Sequence, residues 1–401
     1  MKKFALMMVV LMVFALIASS AFSAGVVKFG VNDVRSGPFK PVGDRMIWGV
    51  ETAIKEANEA GGLLGKKIEL VIEDNQLKAE IAVEKVKKLI LQDGCQIIIH
   101  STSSAVGGAI AQTMPRYKKI YLNTGAMAMG ITGENFTPYT LRTCPNAGML
   151  AKGLAQYFSK KDYKKVFLIN QAYSWGYDIA KYFEKFIKEL APDTQIVGKE
   201  FHKVFNKDFT PYIKKIQASG ADYIVTGNWG ADLTQLIVQS RALGMNRPFG
   251  CTFLDDDDVM SIVREKALGY VTVSPYILGV DNPRARALEE SVYRNSRGKQ
   301  LVFVTMLSYI GTKMYIEAVK KAGTFETEAV IRAFEGLTWE GPAGTITMRK
   351  EDHQYQFPMV IGEAVESTKY YPFPYVTPIA IIPAEQISMT PEESGWKPWK
   401  K

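Results

Sequence analysis

Residues 96 to 127, QIIIHSTSSAVGGAIAQTMPRYKKIYLNTGAM, constrain the fold more than any other stretch of this chain. Ile97, Ile98 and Ile99 lead into His100, and a polar run of Ser101, Thr102, Ser103 and Ser104 follows. Ala105 to Thr113 is rich in small residues and reads as a helix, after which an apolar run resumes. The order is strand, turn, helix, strand. In a parallel α/β sheet such a turn lies at the carboxyl end of the strand, where ligands bind. Hydroxyls there, with the free N–H groups of a first helical turn, suit a carboxylate or another hydrogen-bond acceptor. An ordinary serine N-cap with no ligand is the competing reading of the same residues.

The same alternation runs on both sides. Val26 to Val31 is a short apolar run ending at Asn32-Asp33. Beyond it Ile47, Val50, Ile54 and Ala57 share one helical face that Gly61-Gly62 ends. Ile68, Leu70 and Ile72 alternate with acids as a strand does, and Ala82, Val86 and Leu89 mark a helix. After an extended Tyr139 to Thr143, Asn146 caps a helix reaching Phe158, and the pattern begins again. Strands are expected at Val166 to Asn170, Gln195 to Phe201, Tyr223 to Thr226, Phe249 to Phe253 and Tyr270 to Ser274, with helices between them. Helices follow at Pro283 to Ser296, Val302 to Lys321 and Glu326 to Phe334, then short strands at Thr345 to Met348 and Phe357 to Ile361. Six prolines from Pro372 to Pro398 forbid a long helix or a central strand in the tail, which is expected to wrap over the surface. The fold class is therefore α/β, with two doubly wound parallel sheets in tandem.

Lys2 and Lys3, an uncharged Phe4 to Ala18 and the small-residue end at Ser23 form a secretory signal peptide over residues 1–23, so the mature chain is expected to be exported to the periplasm. No cysteine lies in that segment, which excludes a lipid anchor on one. Cys95, Cys144 and Cys251 are too few and too widely spaced for a disulfide-built scaffold. One disulfide among them is possible; buried, unpaired thiols are the plainer reading. His100, His202 and His353 are far apart, so no metal site is expected. The formal charge is +8. Its lysines are scattered over helix faces, which points to a solvated surface rather than a nucleic-acid track.

Several phrases fall in an order that resembles the periplasmic solute-binding proteins of ABC transporters, in the family of the leucine/isoleucine/valine-binding protein. They are VNDVRSGPFKPVG from Val31 to Gly43, ANEAGGLLG from Ala57 to Gly65, Glu73-Asp74-Asn75, Ser103-Ser104, Lys207-Asp208-Phe209, Ser219 to Asp222, QSRALG from Gln239 to Gly244, and GPAGT from Gly341 to Thr345. The resemblance implies the type I periplasmic-binding-protein fold: two lobes joined by a three-segment hinge, closing on a ligand between them. Lobe 1 would hold residues 25–143 and 277–353. Lobe 2 would hold residues 144–276 and 354–401, including the Pro-rich tail.

In that family a serine of the Ser-Ser turn and a small-Thr segment after the next strand hold an amino acid, and an acidic residue in the second lobe holds its ammonium group. Here Ser103, Ser104, Gly125 and Ala126 remain, but Met127 stands in place of the threonine and Phe253 in place of the acid. Phe39, Trp175, Trp229 and Tyr276 fall at other strand-end positions. The expected ligand is thus an aromatic or apolar carboxylate, with a branched-chain amino-acid-like compound as the nearer family alternative. Each ring could equally be core. Asp255 to Asp258 reads as a solvated helix N-terminus, with Asp255 or Asp256 turned toward a cationic ligand group as the alternative; Arg35 is ambiguous in the same way.

The expected role is the extracytoplasmic binding component of an ABC importer, monomeric, with a separate membrane permease as partner, no nucleic-acid partner and no cofactor. A ligand-sensing module of a signalling system is the second reading. An exported hydrolase or lyase is the third. No Gly-x-Ser-x-Gly elbow, phosphate loop or metal spacing is present, so no catalytic residue is named, and His100 is read as a structural hydrogen-bonder.

Overall fold

The computed structural model describes residues 25–366 and 369–400. The signal-peptide segment lies outside the described residues. The first sheet contains β1 (Val26–Asp33), β2 (Lys67–Asp74), β3 (Ile97–His100), β4 (Ile120–Asn123) and β5 (Thr140–Arg142), all parallel, in the order β2-β1-β3-β4-β5. Between them run α1 (Lys40–Glu59), α2 (Ala79–Leu91) and α3 (Ser104–Tyr117). The faces buried on α1 and α2 include the apolar positions spaced at three and four residues in the sequence: Ile47, Val50, Ile54 and Ala57 on one, Ala82, Val86 and Leu89 on the other.

The second sheet is built from β6 (Lys165–Gln171), β7 (Gln195–His202), β8 (Tyr223–Thr226), β9 (Phe249–Cys251) and β10 (Val271–Ser274). Its helices are α4 (Ala147–Phe158), α5 (Ser174–Leu190), α6 (Thr210–Ser219), α7 (Gly230–Ala242) and α8 (Asp257–Val263). Asn146 caps α4 by accepting the Met149 N–H. The chain then returns through α9 (Pro283–Asn295) and α10 (Phe303–Ala322), both of which pack on α1. Next come α11 (Thr327–Phe334) and a small antiparallel sheet of β11 (Thr338–Gly341), β12 (Gly344–Met348) and β13 (Tyr355–Gln356). Of these three strands only β12 was foreseen, because β11 and β13 are short and lack a run of apolar residues.

Two last strands extend the second sheet: β14 (Met359–Val365) pairs antiparallel with β10, and β15 (Tyr375–Ile382) antiparallel with β14, giving it the order β15-β14-β10-β9-β8-β6-β7. The tail does not simply wrap the surface as expected, since residues 375–382 form an edge strand. Pro378 is accommodated because β15 is at the edge and the register shifts beside it, from Ile361 opposite Ala380 to Gly362 opposite Pro378. Beyond α12 (Ala384–Ile387), residues 388–400 run back across both lobes. The Trp396 and Trp399 rings lie 6.2 Å from Phe136 and Tyr139, while the Glu393 carbonyl accepts a bond of 3.3 Å from the Tyr182 hydroxyl of α5.

The chain passes between the two large sheets after β5, after β10 and between β12 and β14. The first and third passages are tied together by Arg142, which is fully buried. Its Nε donates to Gln354 Oε1 at 2.5 Å, and its backbone N–H to the His353 carbonyl at 2.9 Å. Gln354 in turn donates to the Cys144 carbonyl at 2.8 Å. Two wound sheets joined by crossing segments are the architecture the sequence pointed to.

Candidate functional site

The turn after β3 is held from beneath by β1. The Asp33 carboxylate accepts the N–H groups of Val34 and Ser101 at 2.7 Å and of Thr102 at 3.0 Å, so its charge is spent on the backbone of the turn. Ser103, the residue before α3, has φ 74° and ψ 120°, and its side chain makes no capping bond. A non-glycine residue in that region costs about 1–3 kcal/mol, and such strain clusters at ligand sites. Thr102 is buried and its Oγ1 has no partner. Ser104 Oγ accepts the Ala128 N–H at 3.0 Å. Gly125 approaches this turn so closely that a Cβ there would collide with the Ser101 side chain.

These groups form one wall of a cavity of about 550 Å³, its open mouth included. The other walls come from loops at the carboxyl ends of the second sheet: Tyr173 and Trp175 after β6, Trp229 and Gly230 after β8, Phe253 and Asp256 after β9. Phe303 and Val304, at the start of α10, close it from the first lobe with Val42 of α1. The rings are anchored. Trp175 Nε1 donates to the Gly227 carbonyl at 2.7 Å, and Trp229 Nε1 to the Tyr173 hydroxyl at 2.9 Å. Phe253 bridges Trp175 and Phe303, with centroid distances of 5.3 and 5.4 Å. An apolar cavity with a few convergent polar groups at strand ends is how small-molecule sites are built.

Seven of the ten residues singled out in the sequence meet on this cavity: Ser103, Ser104, Gly125, Met127, Trp175, Trp229 and Phe253. Three do not border it. Ala126 is buried, its carbonyl accepting from Asn123 Nδ2 at 2.8 Å. Phe39 stands one layer back, 4.3 Å from the Trp229 ring and 4.9 Å from that of Phe205, and it occupies the space a Cβ on Gly230 would need. Tyr276 turns away after β10 and donates to Glu289 at 2.6 Å. Arg35 pairs with Asp44 and does not border the cavity. Tyr173, Phe303, Val304 and Val42 were missed. Tyr173 was legible from its place beside Trp175, whereas the other three reach the cavity only through tertiary packing.

Asp256 does cap a helix, accepting the Asp258 N–H at 2.9 Å. The expectation of a solvated run is corrected, however, because Asp255 and Asp257 are buried. The physical reason is Arg45 of α1, which reaches from the first lobe to Asp256 and Asp258 at 2.7 Å each and also pairs with Asp257. Burial alone would lower the pKa of this guanidinium; the three carboxylates reverse that and raise it. Asp255 sits behind them, accepts from the Ser274 hydroxyl at 2.7 Å, and has its pKa pushed up to about 7 by burial.

His100 is fully buried, 3.0 Å from the Tyr121 hydroxyl, and burial pushes its pKa down, so it is a neutral structural hydrogen-bonder. The three cysteines are buried and unpaired. Among the described residues no cluster of His, Cys, Asp and Glu is placed to hold a metal, and no helix is long and apolar enough to cross a membrane.

The profile of the periplasmic binding protein family matches residues 26–369. The chain is 32% identical over 370 residues, 88% of each chain, to the Leu/Ile/Val-binding protein homolog 4 of Brucella abortus. It superposes with a TM-score of 0.85 and 30% identity on the closed leucine-, isoleucine-, valine-, threonine- and alanine-binding protein of Brucella ovis, covering 92% of this chain and 97% of that one. A Rhodopseudomonas palustris ABC-transporter solute-binding protein in complex with 3,4-dihydroxybenzoic acid shares the fold at 20% identity and TM-score 0.82, over 90% of this chain and 98% of that one. The chain belongs to the periplasmic binding protein family, among the solute-binding proteins that resemble the leucine/isoleucine/valine-binding protein.

Proposed function

We propose that this protein captures an aromatic or apolar carboxylate between its lobes and, working as a monomer outside the cytoplasmic membrane, delivers it to the permease of an ABC importer. The lobes divide near residues 143, 277 and 353, so closure brings the turn after β3 against the rings of the second lobe. The observation that carries this reading is the unpartnered Thr102 hydroxyl at the α3 N-terminus, facing walls of Trp175, Trp229, Tyr173 and Phe253. The acid end takes hydroxyl and N–H donors. The body gains about 1.5–3 kcal/mol for each apolar group fully buried and about 0.5–1.5 kcal/mol from a stacked ring. Benzoates held by distant members of the fold, such as the 4-hydroxybenzoate complex from R. palustris, are consistent with it.

A branched-chain amino acid is the second reading, favoured by the names of the Brucella relatives and by Asp256 on the cavity wall. A thermal-shift screen of amino acids against aromatic and aliphatic acids separates the two. At about a hundred times its dissociation constant, the right ligand should add about 2.7 kcal/mol of stability. Trp229→Ala should weaken the best aromatic hit at least tenfold. Shifts given by leucine or valine and by no aromatic acid would overturn the first reading.

A further inference from the structure

We propose that the site admits ligands with one carboxylate whose remainder is neutral or a hydrogen-bond donor and turns away ligands carrying a second anionic group, with Asp256 as the residue that enforces the choice. This rests on the reading that the ligand's acid group docks on the turn after β3. Asp256 is the only charged side chain among the described residues that line the cavity. It also belongs to a cluster with a formal negative surplus. Arg45, just 5% exposed, serves Asp256, Asp257 and Asp258 together, so one positive charge meets three negative ones across the lobe boundary. Lys299 acts electrostatically on Asp258 but does not reach the cavity. Solvent screens the half-exposed Asp258, but the Asp256 and Asp257 side chains, only 14% and 11% exposed, are screened far less.

A ligand group beside Asp256 therefore meets a carboxylate, and among the described residues no cation lines the cavity. Both bonds that Asp256 accepts, from Arg45 and from the Asp258 amide, go to Oδ1, which leaves Oδ2 for a hydroxyl, amide or ammonium donor. The wall that the first lobe contributes carries the complementary feature. Thr102, 4% exposed, has a hydroxyl with no partner, beside the amides that open α3. One wall thus offers donors and the other a carboxylate, and a ligand with two acid groups satisfies only the first.

The test is isothermal titration of the purified protein with two pairs that differ at the far end: 4-methylbenzoate against terephthalate, and leucine against glutamate. In at least one pair the singly charged-end member should bind at least tenfold tighter. Asp256→Asn keeps the helix cap, since asparagine caps as well as aspartate, and should narrow that ratio at least threefold. The proposal is overturned if the second carboxylate costs nothing, if the ratio is unchanged in Asp256→Asn, or if neither 4-methylbenzoate nor leucine binds. Discrimination within the leucine pair alone, narrowed by the variant, would uphold the charge filter while sinking the aromatic-acid reading.

Discussion

Replacing Arg45 with methionine should separate the energetics of closure from those of folding. Arg45 sits on α1 of the first lobe, and its three partners begin α8 of the second. In an opened molecule all four side chains return to water, so the substitution costs little there. In the closed one it leaves three carboxylates facing one another with no cation. Removing one partner of a buried ion pair costs about 3–5 kcal/mol. The lower end applies, because the Asp258 side chain is 51% exposed and its share is screened by solvent. A loss of about 3 kcal/mol from closure weakens ligand binding by roughly 150-fold at about 1.36 kcal/mol per decade. Isothermal titration with the best screen hit reads the affinity, and small-angle scattering of the liganded protein reads the population that remains open. Asp257→Asn in the same chain should restore part of the loss, since fewer carboxylates are then left unpaired. A dissociation constant within threefold of the parent's, with no rescue, would refute the idea that this cluster holds the lobes together.

Thr102→Val keeps shape but removes the unpartnered hydroxyl; urea unfolding should show unchanged or higher stability while affinity for the ligand falls about tenfold, and equal affinity would remove Thr102 from the site. Asp255 has a folded-state pKa of about 7 against an ordinary 3.8, so between those values the folded chain keeps a proton the unfolded chain has lost. Its contribution to stability is complete below about pH 4 and is lost as pH rises through 7, by at most about 4 kcal/mol. Asp255→Asn should therefore unfold at higher urea than the parent at pH 8 and at about the same urea at pH 4; parallel profiles would contradict this. Ending the chain at Ser388 removes Trp396 and Trp399 from Phe136 and Tyr139, and Glu393 from Tyr182. Scattering should then give a larger radius of gyration for the ligand-free protein, and an unchanged radius would mean that the tail does not restrain the lobes.

The fold was legible because its signals are local. Isoleucine runs at 97–99, spaced apolar positions on α1 and α2, and the Asn146 cap each act within a few residues. β15 was not, since six prolines argue against a central strand and nothing local says that the strand will lie at an edge, where Pro378 is tolerated. In the site, residues on strand-end loops could be read from topology. Phe303 and Val304 could not, because they follow a helix start whose return to the cleft is decided by packing against α1. The acidic run was misread for the same reason: what buries Asp257 is an arginine 212 residues away. Phe39 and Tyr276 had the right side chains at strand ends, but one ring packs tilted behind Trp229 and the other side chain turns toward Glu289.

A crystal structure of the protein grown with its strongest screen ligand tests the central claim most directly. The account predicts one molecule between the lobes, its carboxylate within hydrogen-bond distance of Thr102 Oγ1 and the α3 N-terminus, and its body against Trp175, Trp229 and Phe253. A ligand bound outside that cavity, or lying in it with its acid group turned to Asp256, would contradict the account.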